Sequence, residues 1–195
     1  MSRRVDGFER KTGETDITVS VQLDGTGTAD VSTGLGFFDH MLTALAKHSG
    51  MDVSLRCAGD LHVDDHHTIE DCALALGAAI DEALGERRGI TRFGSAYAPL
   101  DEALARAVID LSGRPHATVS LELVRDEVGE VSTENLSHFF QSFAVAARAT
   151  VHIDVLRGDN DHHRAEAAFK ACALAVREAL RLTGAPSVPS TKGVL

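Results

Sequence analysis

Two short segments of this chain repeat one another in a pattern suited to metal ligation: Asp65-His66-His67-Thr68-Ile69-Glu70 and Asp161-His162-His163-Arg164-Ala165-Glu166. The aspartate, both histidines and the glutamate recur at a constant offset of 96 residues. Each helical residue advances by about 100°, so residues four apart share a face. His66 with Glu70, and His162 with Glu166, can then each bind one ion. Adjacent histidines point roughly 100° apart, so His67 and His163 should face a different ion from their neighbours. A pseudo-two-fold between the copies groups His66, Glu70 and His163 in one site, and His162, Glu166 and His67 in the other. His40 and His138, offset by 98, are the remaining symmetric pair and serve as fourth ligands; spacing does not assign either to a site. Imidazole and carboxylate donors without thiolate suit Mn, Fe, Co, Ni or Zn. Open coordination positions would polarise a bound nitrogen or oxygen. An isolated histidine is ordinarily a satisfied polar or surface group, and His62, His116 and His152 are read that way. Two copies in register are a different matter.

The elements that must carry these ligands follow from periodicity. Thr15 to Leu23 alternates apolar and polar residues as a half-buried strand does. Asp24-Gly25 gives a turn, and Thr28 to Ser32 reads as a short partner strand. Helical spacing covers Phe37 to His48, strand alternation returns over Met51 to Cys57, and His66 to Leu84 forms a long helix closed by Gly85. The pattern then restarts. Ala103 to Leu111 and His116 to Leu123 are strand-like, Asn135 to Arg148 is helical, Val151 to Leu156 is a strand, and His162 to Leu182 is a second long helix. The expected fold is α+β, with two duplicated ββαβα halves spanning 1–90 and 91–195. Each half should be a two-layer sandwich whose sheet is covered on one face by helices.

Composition narrows the partners. A net charge of −10 disfavours a nucleic-acid or anionic-membrane surface, which needs clustered cations; a small phosphorylated ligand requires only a few. Cys57, Cys72 and Cys172 form no paired framework and read as buried reduced thiols. The opening MSRRVDGFERKTGETD lacks the apolar stretch of a signal peptide, so the expectation is a soluble, cytoplasmic protein. Departures from the repeat mark a substrate region. Lys170 follows Glu166 by one turn where the duplicate has Leu74; Arg92 and Arg114 each read alone as surface, and the small hydroxyls, Lys and Gly of the tail Pro189-Ser190-Thr191-Lys192-Gly193 could wrap a phosphate.

RKTGETDI, LGFFDHMLTALAKHSG, DHHTIEDCALALG, ENLSHFFQSFA, NDHHRAEAAFKA and PSTKGVL, in this order from Arg10 to Leu195, resemble the blocks of the imidazoleglycerol-phosphate dehydratase family. The resemblance implies a lyase of histidine biosynthesis that removes water from imidazole glycerol phosphate to give imidazole acetol phosphate. It also implies two Mn2+ per active site and a homo-oligomer, typically of 24 subunits, with sites at subunit contacts. Carried onto this chain, one manganese would bind His40, His67, His162 and Glu166, and the other His66, Glu70, His138 and His163. Whether each set lies within one chain or across two stays open. Glu14 is implied as the acid–base group and His48 as a neighbour of the substrate hydroxyls, with Glu70 and Glu166 essential through the metals. Arg92, Arg114, Lys170, Ser190, Thr191 and Lys192 are implied at the substrate's phosphate. Two rival readings use the same ligands: a two-metal hydrolase and a non-catalytic metal-storage cage. The hydrolase gives no reason for the paired basic residues and ordered tail, and storage does not require Lys170 and Glu14.

Overall fold

The computed structural model describes residues 4–195. Its chain begins with an antiparallel hairpin of Val5–Lys11 (β1) and Thr15–Gln22 (β2), the latter burying every second side chain as its alternation requires. Ala29–Ser32 (β3), Gly36–Ser49 (α1), Asp52–Gly59 (β4) and His66–Leu84 (α2) follow. The sequence of elements then repeats as Phe93–Leu100 (β5), Ala103–Asp110 (β6) and His116–Ser120 (β7). After a small hairpin, Glu127–Val128 (β8) with Val131–Ser132 (β9), come Thr133–Ala146 (α3), Thr150–Arg157 (β10) and Asp161–Leu180 (α4). The sheet orders β1-β2-β4-β3 and β5-β6-β10-β7 are one topology used twice. The architecture is α+β with duplicated halves, and each half places one further strand, β1 or β5, ahead of its ββαβα unit.

Two local expectations need correction. β3 does not return onto β2; it pairs in parallel with β4. Both edges of β2 are already taken, by β1 and β4, and the Asp52 carboxylate accepts the Thr26 and Thr28 N–H groups at 2.8 and 2.9 Å, holding the chain at the far edge. β5 escapes the alternation rule because FGSAYAPL contains Gly94 and Pro99. The Pro lies on an edge strand, where a missing N–H costs least. The Gly is demanded by packing: a Cβ there would sit 1.9 Å from the Ala175 carbonyl oxygen of α4.

The helices join the halves. α2 lies on β1 and β2, and α4 on β5 and β6, while α1 packs against α4 and α2 against α3. All four helices therefore fill the space between the two sheets. Their contact is built from small residues and phenylalanines. Ala165, Ala167, Ala168, Ala171 and Ala175 of α4 are fully buried, beside Phe38, Phe139, Phe140 and Phe169. Such side chains let helix axes approach closely and fill what remains with aromatic rings. Cys72 and Cys172 are buried as expected, whereas Cys57 is only half-buried. Burial pushes the Cys172 thiol up to about 12.

A buried cation ties α2 to the end of α3. Arg87, only 2% exposed, pairs with Asp81 and donates to the carbonyls of Ala147 and Arg148 at the end of α3. Those carbonyls have no helical partner, so the guanidinium satisfies them and the negative helix end together. Arg87→Leu leaves two carbonyls unpaired and Asp81 with only its 3.4 Å contact to Arg148, and should cost about 3 kcal/mol in urea unfolding. An unchanged midpoint would contradict this account of the helix junction.

Candidate metal centre

Each motif opens at a helix start, where orphan N–H groups need acceptors. Asp64 accepts the His66 N–H at 2.9 Å, and Asn160 accepts that of His162 at 2.9 Å. The motif aspartates do something else. Asp65 accepts from Ser132 N, Ser132 Oγ and Asn135 Nδ2 at 2.8, 2.9 and 2.9 Å. Asp161 accepts from Val124 N, Arg125 N and Arg164 at 2.9, 2.7 and 2.9 Å. Both are buried. They anchor the helix starts to neighbouring loops and leave the ligand face to the residues that follow.

Among the described residues, two His/Glu groups could hold a cation: His40, His162 and Glu166, and His66, Glu70 and His138, each with donor atoms within 4.8 Å of one another. Glu166 Oε2 lies 3.1 Å from His40 Nε2 and 3.2 Å from His162 Nε2. Glu70 lies 3.2 Å from His138 Nε2 and 3.7 Å from His66 Nε2. Each group therefore spans a helix pair, α1/α4 or α2/α3, and all four imidazoles turn Nε2 inward. Burial opposes ionisation of Glu166, but hydrogen bonds from Lys170 and His40 outweigh it and hold the carboxyl at about 2. Lys170 Nζ lies 2.6 Å from the second Glu166 oxygen.

The third members drawn from helix geometry stand apart from their groups within one chain. Within one chain His163 does not join His66 and Glu70, nor does His67 join His162 and Glu166. Helical rotation carries the second histidine away from its own group, toward the loops at the sheet ends. His67 Nδ1 lies 3.0 Å from Asp60 and its Nε2 3.6 Å from Glu14. His163 Nδ1 lies 2.8 Å from Glu102. The Asp60 and Glu102 hydrogen bonds raise the pKa of His67 and His163 respectively. Glu102, which also accepts the Asn160 and Asp159 N–H groups, is held at about 2, with the His163 bond the largest contribution.

The other expected residues fall in two places. Glu14 is in the β1–β2 turn, its side chain 54% exposed beside His67. His48 is two turns beyond His40 on α1, its pKa lowered by burial and then by the Lys170 charge. Arg92, with φ +74, pairs with Asp110 at 2.7 Å and donates to the Pro189 carbonyl at 2.9 Å, so the tail containing Ser190, Thr191 and Lys192 begins beside it. The tail ends with Leu195 against Gly113, next to the exposed Arg114. This basic end is remote from His162. Arg92 N–H bonds the Ala179 carbonyl, and the α4 span between residues 162 and 179 is about 25 Å at helical rise.

Four residues in contact with these histidines are absent from the sequence reading. His66 Nδ1 lies 3.1 Å from Asn135 Oδ1, and the Phe37 ring meets His162 edge-on at 5.1 Å. Asn135 and Phe37 each precede a ligand-bearing helix histidine by three, so equivalent positions steady the first histidine of the opposite motif. That offset was available in the sequence. Asp60 and Glu102 occupy inequivalent positions, and no repeat could have revealed them.

These features define an α+β protein of two similar halves, joined by helix pairs that each carry a candidate metal-binding His/Glu group. Residues 33–176 match the family model described as imidazoleglycerol-phosphate dehydratase. The imidazoleglycerol-phosphate dehydratase of Eremothecium gossypii is 59% identical over 183 residues, covering 94% of this chain and 83% of that protein. That of Phytophthora nicotianae is 61% identical over 98% of this chain, which spans 42% of that longer protein. The crystal structure of the Pyrococcus furiosus enzyme superposes with a TM-score of 0.83 at 39% identity, covering 96% of this chain and 99% of the other. The chain belongs to the imidazoleglycerol-phosphate dehydratase family, and is thus an enzyme of the hydro-lyase class. No helix among the described residues is long and apolar enough to cross a membrane.

The anchoring role of Asp161 predicts a pH signature. Burial opposes its ionisation, yet hydrogen bonds from Arg125 N, Val124 N and Arg164 lower its pKa below the ordinary value of 3.8. Its stabilisation is therefore complete above about pH 4 and lost as pH falls through the depressed value. Asp161→Asn should lower the urea midpoint at pH 7 and narrow the difference between pH 7 and pH 3. An equal loss at both pH values would contradict an ionised anchor.

Proposed function

We propose that this chain is a manganese-dependent dehydratase of histidine biosynthesis. It removes water from imidazole glycerol phosphate to give imidazole acetol phosphate, as a cytoplasmic homo-oligomer of typically 24 subunits. The observation that carries the reading is the pair of three-residue His/Glu groups, with His67 and His163 outside them and each held through Nδ1 by a carboxylate. One set is His40, His162 and Glu166 with His67 of a second copy. The other is His66, Glu70 and His138 with His163 of a second copy. Three imidazoles and one carboxylate per set fit a borderline-hard divalent ion such as Mn2+. The separation of Arg92 and the tail from His162 within one chain supports the same composite arrangement. The duplicated halves, 1–90 and 91–195, then act as two ligand carriers evolved from one.

When bound, two divalent cations favour the deprotonated form of an imidazole ring. The chain's own residues do the rest. Arg92, Arg114, Lys170, Ser190, Thr191 and Lys192 grip the phosphate and fix the glycerol chain relative to the ring, an orientation effect. The hydroxyl on the carbon beside the ring leaves as water, the next carbon loses its proton, and the resulting enol tautomerises to the ketone. The Glu14 carboxylate is exposed and reaches the open side of His67, where it can move these protons. His48, whose pKa is lowered by burial and then by the Lys170 charge, lies two turns beyond His40 on α1 and would neighbour the substrate hydroxyls.

Purified protein with Mn2+ should form the ketone from imidazole glycerol phosphate, and Glu70→Ala or Glu166→Ala should abolish it. Turnover indifferent to both substitutions would reject the assignment. Subunit mixing tests the composite site. His67→Ala and Glu166→Ala should each be inactive alone, and co-assembled oligomers should regain part of the wild-type rate. Failure to recover in verified mixed oligomers would place the set within one chain.

A further inference from the structure

The duplicated halves solve one problem by different routes. In the first half, Asp60, just past the end of β4, accepts from Nδ1 of His67 at 3.0 Å. The matching place after β10 is Gly158, which has no side chain to offer and whose missing Cβ would lie 2.9 Å from Arg164 Cγ and 3.0 Å from Ala103 Cβ. In the second half the contact is made instead from the β5–β6 turn, by Glu102 to Nδ1 of His163 at 2.8 Å. The matching β1–β2 turn of the first half carries Glu14, which lies on the opposite side of its histidine, 3.6 Å from His67 Nε2.

Neutral imidazole carries one N–H, and its tautomer is set by the hydrogen bond that one nitrogen makes. A carboxylate on Nδ1 keeps the proton there and leaves the Nε2 lone pair pointing outward. Asp60 and Glu102 are themselves held: the Asp60 side chain is 15% exposed, and Glu102 also accepts Asp159 N and Asn160 N at 3.1 and 2.9 Å. Two inequivalent positions supplying one contact to equivalent histidines is difficult to explain as inherited packing. It is expected if the contact itself is required.

We propose that Asp60 and Glu102 are paired positioning residues that fix His67 and His163 with Nε2 free for a ligand, and that Asp60, by taking this task in the first half, leaves the turn carboxylate Glu14 available to the substrate. The proposal rests on the reading of His67 and His163 as metal ligands.

The experiment measures Mn2+ affinity by chelator competition on the full-length oligomer, with assembly state and far-UV circular dichroism recorded for each variant. Asp60→Ala and Glu102→Ala should each weaken one of the two sites by about 10–100-fold. Asp60→Asn, whose amide oxygen still accepts from Nδ1–H, should recover most of that loss. Side-chain 15N spectra of the metal-free wild-type protein at pH 8 should show His67 and His163 protonated at Nδ1, a readout independent of whether any variant folds. Wild-type affinity in both alanine variants, or Nε2–H tautomers in the spectra, would overturn the proposal. His67→Ala serves as the control: if it also binds Mn2+ like wild type, the parent reading of the ligand sets has failed instead.

Discussion

Each of two glutamates sits between histidines from two helices, and those helices come from different halves of the chain. Glu166 meets His40 of α1 and His162 of its own α4; Glu70 meets His138 of α3 and His66 of its own α2. That geometry requires α1 to lie on α4 and α2 on α3 at short range. The alanine-rich faces, the Phe38–Phe139–Phe169 cluster and Gly77 follow from it. A Cβ at Gly77 would come within 2.8 Å of the Phe143 carbonyl and Ala146 Cβ. The sheets then serve as backing, keeping each helix pair at fixed depth.

Placing so many imidazoles and carboxylates together is costly unless each orientation is fixed and each charge compensated. The chain uses a different side chain for each task. Asn135 and Phe37 steady the first histidine of each motif, Asp60 and Glu102 the second, and Lys170 takes the second oxygen of Glu166. Buried Asp65 and Asp161 tie the helix starts to loops around Ser132 and Val124. The duplication supplies the frame. Its departures, Lys170 against Leu74 and Asp60 against Gly158, make the two His/Glu surroundings unlike each other.

Periodicity exposed most of the elements because β2, β4, β6, β10 and the four helices each bury one regular face. It missed β1, an edge strand rich in charge, and β5, where Gly94 and Pro99 answer to α4 and to edge position. The ligand types were legible from the 96-residue repeat, since i, i+4 placement on a helix is a local property. The partners of His67 and His163 were not, because loop geometry decides them. The pseudo-two-fold groups those histidines with the opposite motif; within one chain the contacts follow the helix pairs, and the second histidine of each motif meets a loop carboxylate.

The central claim is that each His/Glu group holds one divalent ion, and metal content measured after stripping and reloading with Mn2+ tests it most directly. Wild-type protein should retain two ions per chain, Glu70→Ala and Glu166→Ala one each, and the double variant none. Two ions per chain retained by the folded double variant would contradict the account.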